Sequence, residues 1–355
     1  MPTPNAPPDN AVARFRADLI ALGGAAEPTA WMGVAVSGGP DSLALLLLAH
    51  AALPGRIAVA TVDHGLRPEA AEEAAIVGGI CASLGIPHVT LKSDRHPELV
   101  SGSTERQAPV QEAEWMLKQV QHDGGGNIQH RARLLRYRLL GEWARKEQLP
   151  FIATAHHRDD VAESFLMRAL RGSGVGGLAR MKSVSTLPYA SDSEIKLVRP
   201  LLGWSRAELG EIARNAGLVP ANDPSNSDLR YDRVRIRALL AREDLLDPEP
   251  LARAAANLAD ADAALEWMAD IAWRSRIKTK SASEVAFDPG DLPAEIQRRL
   301  ASRAITALDQ NWDGKGVDGL VGALERGETA TLAGVKASGG ELWHFRIAPA
   351  RTFHR

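Results

Sequence analysis

Short unbroken apolar runs alternate, over the first third of the chain, with stretches in which apolar side chains recur every three or four positions. The first kind marks strands covered on both faces, the second marks helices laid against them. The pattern predicts a helix over Ala11–Leu22 ended by Gly23-Gly24, and a strand over Trp31–Val36. A helix opening near Asp41–Leu43 and running to Leu53 follows, then a strand Ile57–Val62, a helix Pro68–Leu84 stopped at Gly85, and a strand Pro87–Leu91. Strands and helices in strict alternation build a parallel sheet with crossover helices, so the class is α/β.

Ser93–Gly126 breaks this rhythm, with one helix pattern, Pro109–Gln121, before Gly124-Gly125-Gly126. Codons for a close variant of Arg95–Ser103 can encode Met116–Asp123 on the opposite strand in a shifted frame. We therefore expect residues 95–126 to be an inserted surface segment, placed where extra length costs little. Beyond it come a helix rich in arginine over Asn127–Arg138, a strand Phe151–Ala155, and a polar helix opening at His156-His157-Arg158-Asp159-Asp160. A short strand Lys196–Arg199 leads to a helix capped by Ser205, with Glu208 at capping-box spacing. After the turn cluster Asn222–Asn226, arginines alternate with apolar residues over Tyr231–Arg237, an odd pattern for a simple amphipathic helix. Helices near Pro250–Arg276 and Ala294–Asp309, and a hairpin over Thr331–Ile347 turning at Gly339-Gly340, complete the chain. The expected organisation is an α/β domain over 1–237 and a smaller, mostly helical domain with a terminal hairpin over 238–355.

Composition narrows the classes. With 355 residues, 45% hydrophobic and 24% charged, the chain has the make-up of a soluble globular protein. The run Leu43–Ala52 is too short to cross a bilayer, and Met1–Asn10 lacks the apolar core of a secretory signal, so a cytoplasmic location without membrane attachment is expected. A single cysteine, Cys81, excludes an internal disulfide, a CxxC redox pair and a thiolate zinc site. Net charge is −2, but its distribution is uneven, and distribution is what a nucleic acid senses.

Three stretches carry chemistry. Ser37-Gly38-Gly39-Pro40-Asp41-Ser42 lies between a strand and a helix, where glycines admit a ligand close to the backbone and the helix N-terminus favours an anion. Asp41 beside such an anion points to a bridging Mg²⁺ and a nucleotide. No lysine follows the glycines, so this is not the GxxxxGK[ST] loop. Asp63, His64 and Arg67 follow the second strand and stand beside the phosphate turn if the two strands are neighbours; a plain surface loop explains them almost as well. His156, Asp159 and Asp160 follow the fourth strand; they suit catalysis or a metal, Asp41 and Asp160 being the metal candidates, while aspartates at a helix start also serve as caps. Without HExxH a zinc hydrolase is disfavoured, and the glycines of Gly172–Gly177 follow a helix and form a basic loop rather than a dinucleotide fingerprint. Arg133, Arg136, Arg168, Arg171, Arg233 and Arg235 are candidates for an RNA backbone, a solvated basic face being the plain alternative.

Taken together, Ser37–Ser42, Val62–Arg67, Ala132–Tyr137, Thr154–Gly174, Arg199–Leu202 and Asp223–Arg237 resemble the tRNA(Ile)-lysidine synthetases of the N-type ATP pyrophosphatases. Departures are Ser164, where threonine is common, Val234, where asparagine is usual, and the extra segment. The resemblance implies a Rossmann-like parallel sheet with helices on both faces, of the adenine nucleotide alpha hydrolase type. It also implies ATP and Mg²⁺, free L-lysine, and tRNA(Ile) with a CAU anticodon, whose wobble cytidine is adenylated at the C2 oxygen and then attacked by the lysine amine. Asp159 or Asp160 would take the ammonium proton, and Ser37, Gly38, Gly39, Pro40, Asp41, Ser42, Asp63, His64 and Arg67 would hold the nucleotide. A homodimer is left open. Rivals are a tRNA cytidine thiolase or another adenylating enzyme of the superfamily, and a non-catalytic nucleotide-binding RNA module.

Overall fold

A computed structural model describes residues 3–23, 30–63, 69–92, 127–179, 181–187, 195–220, 232–243, 245–308, 312 and 314–348. The inserted segment, His64, Arg67 and the turn cluster at 222–226 lie outside the described residues. By compactness the chain divides into two units, Met1–Gly172 with Arg180–Ala255, and Ser173–Ala179 with Ala256–Arg355.

In the first unit the elements are α1 (Asp9–Ala21), β1 (Met32–Ala35), α2 (Pro40–Ala52), β2 (Ile57–Asp63), α3 (Glu69–Leu84), β3 (His88–Lys92), α4 (Asn127–Lys146), β4 (Phe151–Ala153), α5 (Arg158–Ala169), β5 (Val184–Thr186), β6 (Lys196–Val198), α6 (Arg206–Asn215) and α7 (Asp232–Arg242). The six strands stand in the order β3-β2-β1-β4-β6-β5, all parallel except β5 at the edge. Strand residues alternate between two cores, as a period of two demands. Met32, Val34 and Val36 of the first strand region join Phe15, the leucines of α2, Cys81 and Leu209 on one face. Ala60, Leu140, Trp143 and Ile152 form the other. Gly33 explains the second packing: a Cβ there would stand 2.8 Å from the Trp143 ring. Helix α2 is buried all round at Leu43 and Leu45–Leu48, which is why its apolar run carries no polar stripe. Cys81 is fully buried, and burial pushes its thiol up to about 12, as befits a small core residue.

β1 pairs with β2 on one side and β4 on the other. The chain winds outward from β1 through β2 to β3, then returns to β4 on the opposite flank. The crevice past the carboxyl ends of β1 and β4 is therefore the topological switch point, where ligands of open α/β sheets bind.

Helix α8 (Pro248–Arg276) contains the boundary between units. The second unit has β7 (Ile277–Lys280), β8 (Glu284–Phe287), α9 (Ala294–Leu308), α10 (Val317–Glu325), β9 (Thr329–Leu332), β10 (Val335–Ser338) and β11 (Trp343–Ile347). These strands form an antiparallel sheet, β7-β8-β11-β10-β9. Phe287, stacked 5.6 Å from Phe345, and Trp343 pack with Leu300, Ile305 and Leu324. The sequence pattern anticipated α8, α9 and the final hairpin but not β7, β8, β9 or α10. β7 is an exposed edge strand of polar residues, so no apolar run announces it. A tight turn also sits at Ala333-Gly334, both with positive φ (51° and 73°), as a two-residue hairpin requires, in addition to the β10–β11 connection at Gly339-Gly340.

Candidate functional site

The phosphate turn begins where β1 ends. Gly38 has φ of 86°, a conformation that favours glycine, and Gly39 is the extended N-cap of α2 with Pro40 at its first position. Ser42 Oγ donates to the Gly39 carbonyl at 2.9 Å and accepts the Ser37 N–H at 3.2 Å, closing the turn on itself. Ser37 Oγ lies 3.3 Å from Ser42 Oγ. Among the described residues a Cβ on Gly39 would meet only Ser37 Oγ, at 3.9 Å, so an oxygen of a ligand can approach the backbone there.

The second motif starts α5, distant along the chain, but its strand β4 lies beside β1 in the sheet. His157 is the N-cap residue of α5, and its N–H donates to Asp160 Oδ2 at 3.1 Å. The His157 ring is buried among three carboxylates. Nε2 stands 3.4 Å from Asp41 Oδ2 and 3.5 Å from Asp160 Oδ2, while Nδ1 stands 3.6 Å from Asp159 Oδ2. Burial opposes a charge on this ring, but Asp159, Asp41 and Asp160 outweigh it and raise its pKa to about 9. An imidazolium thus joins the phosphate turn to the fourth-strand motif. Its neighbour His156 is the reverse case: burial, with Arg199, Arg133 and Arg233 nearby, pushes it down to about 3 against the pull of Asp160, so it is a neutral imidazole. His156 Nδ1 shares a hydrogen bond of 2.9 Å with Thr154 Oγ1.

Behind these groups lies a cage that the sequence pattern did not reveal. Glu163, 1% exposed at its side chain, accepts from Arg206 Nη2 at 2.9 Å, Arg233 Nε at 2.7 Å and Arg237 Nε at 2.8 Å. Arg233 Nη2 also donates to Asp160 Oδ1 at 2.6 Å. This resolves the alternation over residues 231–237: on helix α7, Arg233 and Arg237 share the face toward Glu163, four positions apart, while Arg235 points outward and pairs with Asp232. Burial would raise the Glu163 pKa, but the guanidinium groups of Arg237, Arg233 and Arg206 lower it to about 2.

Glu163→Gln is expected to cost about 3 kcal/mol, because three guanidinium groups lose their shared anion but retain access to solvent. The ordinary glutamate pKa is 4.5 and the folded value is lower, so this contribution is complete above pH 4.5 and fades as pH falls toward about 2. Urea unfolding of both proteins at several pH values checks this: the difference should shrink on acidification.

The other sequence candidates are distributed as follows. Asp63 ends β2 at the same sheet edge, buried, with Lys92 Nζ at 3.9 Å. Arg133 and Arg136 are exposed on α4, while Tyr137 is buried at 2% exposure, with Arg133 5.0 Å above its ring. Arg168 and Arg171 are exposed, and Arg171 pairs with Asp232 at 2.9 Å. The glycine-rich basic loop holds a helical turn, Val175–Leu178.

A Mg²⁺ ion beside the phosphates needs carboxylate oxygens not already committed to other partners. Asp41 Oδ1 is buried with no hydrogen-bond partner among the described residues, which suits a cation ligand. Both oxygens of Asp160 are engaged, by Arg233 and by the His157 N–H, so Asp41 fits and Asp160 does not. Among the described residues no group of three or more His, Cys, Asp or Glu is arranged to hold a metal.

The family model of the PP-loop domain matches residues 13–244. The chain is 42% identical over 341 residues to a tRNA(Ile)-lysidine synthase of Novosphingobium aromaticivorans, covering 96% of this chain and 94% of that protein. It is 39% identical over 323 residues to a tRNA(Ile)-lysidine synthase of Zymomonas mobilis, covering 90% and 89%. Among solved structures, a U34-tRNA thiolase of Methanococcus maripaludis superposes with a TM-score of 0.51 at 16% identity, over 71% of this chain and 79% of that one, a likeness of fold.

Proposed function

The chain belongs to the tRNA(Ile)-lysidine synthase family of PP-loop proteins, and on that footing we propose that it joins free L-lysine to C2 of the wobble cytidine in tRNA(Ile) bearing a CAU anticodon. It is an ATP-using ligase that forms lysidine on tRNA(Ile). The observation that supports the active centre best is the 3.4 Å approach of His157 to Asp41, which puts the phosphate turn and the paired acids into one crevice.

In this reading the turn Ser37–Ser42 and the N-terminus of α2 hold the phosphates of ATP, whose α-phosphorus is attacked by the cytidine O2. The O2–P bond forms, the α–β phosphoanhydride breaks, and pyrophosphate leaves. Mg²⁺, held by Asp41, would neutralise charge on the departing pyrophosphate. The lysine ε-amine then forms a bond to C2, and AMP departs with the O2 oxygen. At pH 7 only about 0.04% of free lysine side chains are neutral, a cost of roughly 4.6 kcal/mol. A carboxylate that accepts the ammonium proton lowers that cost. Asp159 is the more accessible of the two candidates: among the described residues only its Oδ2 is engaged, and its side chain is 21% exposed. Burial would raise its pKa, but the His157 ring and the Arg206 N–H outweigh burial and lower it to about 2, so it stands ionised to receive a proton in the transition state. Asp160 is committed to Arg233 and the helix cap. His157, as an imidazolium, fixes Asp41 and Asp159 relative to each other. Arg133, Arg136, Arg168, Arg171 and Arg235 are exposed and would meet the RNA backbone, while Arg233 is held by the acids. An anticodon loop presents its wobble base unpaired, so extrusion into the crevice is cheap.

A tRNA thiolase is disfavoured because the whole chain has one cysteine, buried in the core. The discriminating test is pyrophosphate release. It should require both the CAU tRNA and, for turnover, lysine; release indifferent to the RNA would overturn the proposal.

A further inference from the structure

Asp159 takes its orientation from a segment outside both motifs. Residues 203–206 form a strap that is hydrogen-bonded to the first turn of α5 at two points. The Trp204 carbonyl accepts the Arg158 N–H at 2.8 Å, and the Arg206 N–H, at the N-terminus of α6, donates to Asp159 Oδ2 at 3.0 Å. Ser205 and Glu208 cap each other, fixing how α6 starts: the Ser205 N–H donates to Glu208 Oε2 at 2.7 Å and the Glu208 N–H to Ser205 Oγ at 3.2 Å.

The strap is itself held from the far side by α1. The Trp204 ring is 2% exposed, and its indole N–H donates to Asp18 Oδ2 at 2.8 Å. Arg14 lies 4.1 Å over the same ring and donates to the Gly203 carbonyl at 2.8 Å and to Glu208 at 2.7 Å. A buried indole has a single donor, so the direction of that bond fixes the ring, and a carboxylate acceptor makes it a strong one. The main chain of Trp204 moves with its ring, and two of the bonds that orient the start of α5 come from that main chain and the next residue but one. We propose that Asp18, acting through Trp204 and the strap 203–206, is a positioning residue for the Asp159 carboxylate. The inference rests on the reading that Asp159 takes the lysine proton. It assigns to the first helix a part in the transfer step, although α1 carries none of the motif residues.

A purely structural bond would lower stability and leave turnover of the folded enzyme alone; a positioning bond lowers kcat at unchanged substrate affinity. Asp18→Ala and Trp204→Phe are expected each to lower kcat for lysine incorporation about tenfold, with KM for ATP and lysine within about twofold of wild type. Asp18→Asn, whose carbonyl can still accept the indole N–H, should restore kcat. Because both changes break one bond, the double variant should be no worse than either single one. Amide exchange at Arg158 should quicken in Asp18→Ala and not in Asp18→Asn. Unchanged kcat with only a lower melting temperature, losses that multiply in the double variant, or unaltered exchange at Arg158 would each overturn the proposal. A wild-type protein that makes no lysidine would instead sink the functional reading, while the Arg158 exchange would still decide whether Asp18 holds the strap.

Discussion

Asp41→Asn is expected to lower kcat/KM for lysidine formation by about 10³, or roughly 4 kcal/mol of transition-state stabilisation, in a protein that remains folded. The substitution keeps the size of the side chain and removes only its charge. Two consequences follow from the geometry. Oδ1, buried without a hydrogen-bond partner among the described residues, loses the negative charge that the proposed mechanism sets beside the departing pyrophosphate. His157 loses one of the three carboxylates that hold it as an imidazolium, so its bridge from the phosphate turn to α5 weakens. The measurement is pyrophosphate release and lysidine yield at saturating ATP, with circular dichroism as the control on folding. In the proposed mechanism Asp41 serves the first half-reaction, so both products should fall together. A variant that releases pyrophosphate at the wild-type rate would remove Asp41 from the chemistry.

Asp159→Asn should split the two halves. An amide can still accept the Arg206 N–H, so the strap stays in place, but it cannot take a proton from an ammonium group. General-base contributions are typically about 10²–10⁴ in rate, and we expect a loss near the middle of that range. In a single turnover, pyrophosphate should appear in a burst close to wild type while lysidine does not, leaving adenylated RNA. Raising the pH, which supplies neutral lysine without a base, should recover part of the rate, the gain being about tenfold per unit below the lysine pKa of about 10.4. Asp160→Asn is the useful contrast. It disturbs Arg233 and the helix cap, so its effect should include a lower melting temperature.

In the first unit the order of strands and helices, β5 and α7 apart, was legible because mostly apolar short runs alternate with stretches of helical period. The two motifs were legible for a related reason: they fall just past the carboxyl ends of β1 and β4, and a strand–turn–helix pattern locates such ends without coordinates. What the sequence hid lies in partners far apart along the chain. Glu163 reads as an ordinary polar position on α5, and only the fold brings Arg206, Arg233 and Arg237 around it. Arg233 was expected at an RNA backbone, yet a guanidinium fork fits carboxylate and phosphate alike, and residue type cannot say which it meets. In the second unit, polar edge strands such as β7 leave no apolar trace, so the sheet was anticipated only at its last hairpin.

The most direct test of the central claim is the mass of the wobble nucleoside. The protein, ATP, lysine and tRNA(Ile) with a CAU anticodon are incubated, the RNA is digested, and the anticodon cytidine is examined. The account predicts that this nucleoside gains one lysine less one water with the wild type, and stays unmodified with Asp41→Asn. An unmodified cytidine with the folded wild-type protein, or the same gain in mass when ATP is left out of the reaction, would contradict it.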